Sequence, residues 1–92
     1  MNELRRTLII VNQRGLHARA SAKFVNAVSQ LPEGTRVRVA KDGNEAEGGS
    51  ILGLMMLGAA KGDLIDLIVA GTNAEAVLGE LASMIDDGFG EE

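Results

Sequence analysis

Apolar residues recur along this chain at a period of two in some stretches and of about 3.6 in others, so it must combine strands with helices. Arg5 to Val11 reads as a strand with Leu8 and Ile10 on one side. Asn12-Gln13-Arg14-Gly15 is a polar loop, and Ala20, Phe24, Val28 and Leu31 then mark one face of a helix over Ala18 to Leu31. Pro32-Glu33-Gly34 ends that helix. Thr35 to Ala40 alternates as a half-buried strand does, Asp42-Gly43 is a hairpin signal, and Asn44 to Glu47 returns as a short strand whose charge suits a sheet edge. Ser50 caps a short helix from Ile51 to Leu57, closed by a left-handed Gly58. Asp63 to Ala70 is apolar enough for a central strand. Thr72 and Glu75 form a capping box for a last helix with the stripe Ala74, Val77, Leu78, Leu81 and Ile85, ended by Gly88. Beyond it, Gly88-Phe89-Gly90-Glu91-Glu92 reads as a frayed tail.

Two long amphipathic helices set against four strands in the order β-α-β-β-α-β-α predict a two-layer α+β sandwich with a split β-α-β arrangement. At 92 residues there is room for one core, and residues 1–92 read as a single domain. With no cysteine, disulfides, thiolate nucleophiles and zinc knuckles are all excluded, which fits a reducing compartment. The longest apolar run, Ile51 to Ala60, is too short to span a bilayer. Arg5-Arg6 precede only a brief apolar block, so no signal peptide is expected and the protein is read as cytoplasmic. A net charge of −4 and only two phenylalanines, with no tyrosine or tryptophan, argue against nucleic-acid binding. The single histidine and the absence of clustered carboxylates leave no expected metal site, and no cofactor is implied.

Chemistry therefore concentrates at His17, where the polar loop becomes a helix. The amides of Ala18, Arg19 and Ala20 would have no intrahelical partner and would face outward at the positive end of the helix dipole. Arg19 adds a cation two residues away. An imidazole, with an ordinary pKa of about 6.5, is largely neutral at cytoplasmic pH and hence nucleophilic. Nucleophile, amides and guanidinium together would accept and hold a phosphoryl group. Spacing alone also fits a histidine that merely caps the helix or lies on the surface.

The segment Gly15-Leu16-His17-Ala18-Arg19, followed by Phe24, resembles the active-site segment of HPr, the histidine-containing phosphocarrier family of the bacterial phosphoenolpyruvate-dependent phosphotransferase system. A second block, Ser50 to Gly62, resembles the regulatory-serine segment of the same family. The resemblance implies an open-faced β-sandwich, with a four-stranded antiparallel sheet of order 1-4-2-3 and three helices on one face. It implies that His17 takes a phosphoryl group on Nδ1 from phospho-enzyme I and passes it to an EIIA-type acceptor, with Arg19 steadying the phosphate. It implies that Ser50 matches a serine modified by a dedicated HPr kinase/phosphorylase in some bacteria. The family's usual proline after the arginine is Ala20 here, which adds an N–H and loses some rigidity; this departure points to a nitrogen-related regulatory branch rather than sugar transport. Ile51, Leu52 and Met55 are read as an exposed docking patch, extended by Lys23 and Asn26 on the first helix, on a protein expected to be a monomer. The rival reading is a regulatory binding module of the same fold that uses its helical face without phosphoryl turnover.

Overall fold

The computed structural model describes residues 3–91. Strand β1 (Glu3–Ile9) runs antiparallel to β4 (Leu64–Ala70), with Leu8 opposite Ile65 and Arg6 opposite Leu67. On its other side β4 pairs with β2 (Arg36–Lys41), which forms a hairpin with β3 (Asn44–Glu47). The sheet is thus antiparallel throughout, in the order β1-β4-β2-β3, as the resemblance implied. Asp42 and Gly43 both take positive φ in the hairpin, the geometry that an Asp-Gly pair favours.

Period-two alternation sends Leu8, Val37, Val39, Ala46, Ile65, Leu67 and Val69 to one side of the sheet, where they are buried. Helices α1 (Ala18–Ser29), α2 (Ile51–Met56) and α3 (Ala74–Asp86) cover that side. They contribute Ala20 and Phe24, Leu54, and the stripe Ala74, Val77, Leu78, Leu81, Ala82 and Ile85. Leu31 lies just past the end of α1 yet still packs against this core. Across the open face, Arg5 pairs with Asp66, Arg36 with Glu47, and Arg38 with both Glu3 and Glu45. Ile68 stands opposite Arg5 and Arg38 in the register and is only 1% exposed, because long charged side chains lay their methylene stems over apolar neighbours.

Two expectations change. The capping box at Thr72 and Glu75 does not form: Asn73 precedes α3, with no side-chain cap bond. Gly71, at φ +130°, turns the chain so that the Ala74 N–H reaches the Gly71 carbonyl, and the helix starts two residues after Thr72. Glu75 instead sits in the first turn, where its charge suits the helix dipole. The second change is the tail. Gly88–Gly90 is an ordered 3-10 turn and Phe89 is buried at 3% exposure, so the chain past α3 belongs to the core; Glu92 lies outside the described residues.

Candidate functional site

The loop that presents His17 is fixed by backbone contact with the segment after α2. Gly15 adopts φ +61°, and a Cβ there would lie 2.2 Å from the Ala59 carbonyl oxygen. Glycine alone permits that approach, which lets the Leu16 N–H bond the Ala59 carbonyl at 3.0 Å. Leu16 is buried, and its own carbonyl accepts from the Ser21 hydroxyl at 3.2 Å. His17 follows in an extended conformation (φ −77°, ψ −177°) as the N-cap of α1. Its carbonyl takes the Ser21 N–H at 2.9 Å, so the amides of Ala18, Arg19 and Ala20 precede the first helical bond.

The imidazole has one partner at each nitrogen. The Arg19 N–H donates to Nδ1 at 3.2 Å, and Nε2 lies 2.8 Å from a Glu91 carboxylate oxygen. A nitrogen that accepts from an amide carries no proton, so this hydrogen-bond pattern assigns the ring proton to Nε2, which donates to Glu91. The Arg19 amide therefore engages the ring rather than standing open as the sequence reading expected.

Glu91 was missed because the tail read as frayed. Gly88, Phe89 and Gly90 all take positive φ, which reverses the chain at the end of α3. The buried Phe89 ring anchors the reversal, and the Lys23 ammonium donates to the Phe89 carbonyl at 2.9 Å. Asn12, itself buried, donates from one amide group to both the Gly15 carbonyl (2.8 Å) and Glu91 (3.1 Å). Burial pushes the Glu91 carboxyl upward, but hydrogen bonds from Asn12 and His17, with the charges of His17 and Lys23, together outweigh it and hold the group below the usual glutamate range. One sequence signal pointed this way: a phenylalanine between two glycines, in a chain with only two phenylalanines, is an anchor more than a loose end.

Around His17 lies an open depression of about 380 Å³, lined by Gln13, Arg14, Arg19, Lys23 and Glu91. Three cations thus surround the imidazole of an acidic protein. A depression of about 370 Å³ on the open face of the sheet is lined by Arg5, Thr7, Lys41, Asp42 and Asp66, whose polar groups pair among themselves. Of the remaining expected residues, Ala18 and Asn26 are exposed on α1, whereas Ala20 is fully buried. Lys23 is exposed as expected, yet its ammonium is already bonded to the tail. Ser50 caps α2, its hydroxyl accepting the Gly53 N–H at 2.9 Å. Ile51, Leu52 and Met55 are exposed as expected, and Met56, at 77%, is more exposed than any of them. It lies four residues after Leu52, one turn along the same face, a spacing that could have flagged it.

An imidazole whose Nδ1 faces a helix start and a cationic hollow, on an open-faced sandwich, fits the class of small histidine phosphocarriers that the sequence resembles. The family model described as "PTS HPr component phosphorylation site" matches residues 4–87. The chain belongs to the HPr family of the phosphotransferase system. It is 42% identical over 88 residues to the phosphocarrier protein HPr of Neisseria meningitidis, covering 96% of this chain and 97% of that one. It is 33% identical over 91 residues to the phosphocarrier protein NPr of Shewanella violacea, covering 99% and 98%. The crystal structure of an HPr from Thermoanaerobacter tengcongensis superposes with a TM-score of 0.86 at 36% identity, covering 100% of this chain and 99% of that one.

Proposed function

We propose that the chain is a single phosphocarrier domain that accepts a phosphoryl group from phospho-enzyme I on His17 and passes it to an EIIA-type acceptor in the cytoplasm. The observation that carries this reading is the asymmetry of the imidazole: Nε2 is covered by Glu91, while Nδ1 faces the amide end of α1 and Arg19. The Nδ1 lone pair forms the new bond to phosphorus as the bond from phosphorus to the donor breaks, its electrons leaving with the donor. As the bond forms, the Arg19 N–H leaves the Nδ1 lone pair and turns to the phosphoryl oxygens, which it holds together with the amide of the exposed Ala18 and the Arg19 guanidinium, a group that makes no ion pair among the described residues. Ile51, Leu52 and Met55, joined by Met56, dock the partners, with Lys23 and Asn26 at the edge of the contact.

Incubation with phosphoenolpyruvate and enzyme I should add one acid-labile, base-stable phosphate to the wild type and none to His17→Ala. A wild type that stays unmodified beside a competent enzyme I would leave a binding module of the same fold. Ala20 favours the nitrogen-related branch. Faster transfer to a sugar-specific EIIA than to a nitrogen-related one overturns that assignment. Ser50 is the modification site for an HPr kinase/phosphorylase in this reading, since a phosphate there would border the docking patch.

A further inference from the structure

We propose that Glu91 is a positioning residue for phosphoryl transfer: its carboxylate holds the His17 ring with its proton on Nε2, so that Nδ1 alone is nucleophilic, and it faces the ring's positive charge once Nδ1 is phosphorylated. This role rests on the carrier reading above. It follows from geometry at both ends of the ring, with the Glu91 carboxylate 2.8 Å from Nε2 and the Arg19 amide 3.2 Å from Nδ1. The carboxylate is held in place rather than swung by chance. The buried Asn12 amide ties it to the Gly15 carbonyl in the loop that presents His17, and Phe89 and Lys23 secure the turn before it. Loop and tail are therefore tied to each other through Asn12.

The charge balance gives the contact its purpose. Before transfer the ring is neutral, with one proton on Nε2. Attack uses the Nδ1 lone pair and moves no proton, so the phosphorylated ring is an imidazolium that still carries its Nε2 proton. A carboxylate at hydrogen-bond distance stabilises that cation more than the neutral ring, as a carboxylate does beside other functional imidazoles. The same negative charge turns an anionic phosphoryl donor away from Nε2.

Glu91→Gln and Glu91→Ala test this, with ¹⁵N spectra of the His17 ring, the rate of phosphorylation by enzyme I and the half-life of the phosphohistidine as readouts. The wild type should show the Nε2–H tautomer. The glutamine variant should keep that tautomer through its amide oxygen, yet be phosphorylated roughly 10-fold more slowly and lose the phosphoryl group sooner, the scale of losing a residue that orients a functional histidine. The alanine variant should show mixed tautomers and a larger loss of rate. An alanine variant that keeps a pure Nε2–H tautomer, or either variant with wild-type phosphorylation rate and phosphohistidine half-life, overturns the role. The near-isosteric glutamine separates loss of charge from loss of tail packing, and equal melting temperatures confirm that both variants fold. If the wild type takes no phosphoryl group, the carrier reading and this role both fall; if it does and the variants match it, only the role falls.

Discussion

A methyl group added at Gly15 would meet the Ala59 carbonyl at 2.2 Å in a backbone already at φ +61°, so no small shift of a flexible side chain can relieve it. Gly15→Ala is expected to destabilise the fold by about 2–4 kcal/mol, measurable as a lower urea midpoint, and to slow phosphorylation by misplacing His17. Arg19 is exposed, so Arg19→Ala should leave the melting temperature nearly unchanged while slowing transfer roughly 10-fold or more, the scale of a charge-assisted bond to phosphate. Unchanged rates would make Arg19 a solvated charge only. The place of His17 at a loop-to-helix boundary was legible from local pattern, whereas the role read for it came from the family resemblance. Glu91 was not legible, because its meaning depends on a partner 74 positions away, and no local period carries that information.

Helix α2 is too short to persist on its own and relies on its cap and on buried Leu54. Ser50→Ala should cost about 1 kcal/mol, the usual value of a serine N-cap. Ser50→Asp keeps an acceptor at the cap and suits the helix dipole, so its melting temperature should match the wild type within a few degrees. It should nonetheless raise KM for phosphorylation by enzyme I, since a charge beside Ile51, Leu52 and Met55 must be desolvated on docking. Wild-type kinetics for Ser50→Asp would remove the switch role. The strands, the hairpin and the stripes of α1 and α3 were legible from periodicity. The start of α3 was not, because the turn at Gly71 overrode the Thr72 and Glu75 signal. The ordered tail was missed for the opposite reason: three left-handed residues in succession have no periodic signature, and the burial of Phe89 and the Lys23 bond to its carbonyl hold them. Phe89→Ala should accordingly cost about 3 kcal/mol, and by freeing the tail it should slow phosphorylation as well.

At the level of the whole molecule, the two faces of the sheet stabilise it differently. The helix side is apolar, whereas the open side depends on ion pairs that respond to pH and salt. The Asp66 carboxyl is held below the ordinary range chiefly by the Thr7 hydroxyl, against burial, with Arg5 adding to the effect. A lowered carboxyl contributes stability that is present above its unfolded pKa of about 3.9 and lost as pH falls through the folded value. Stability in urea should therefore decline as pH falls below about 5 and on through the folded value, and Asp66→Asn should flatten that decline. An unchanged slope in the variant would assign the acid sensitivity to other carboxylates.

The course of the chain past α3 also decides how this protein can be handled. Anything bulky joined close after Glu91 is tethered beside the carboxylate that touches the imidazole, so a tag, dye or surface linker there would crowd the nucleophile and compete with its partners. Strand β1 begins at Glu3 and runs about 20 Å before the loop that leads to His17. Purification handles and immobilisation chemistry therefore belong ahead of β1, and rates measured with a fusion joined just after Glu91 should be compared with those of a protein without it before they are attributed to the carrier itself.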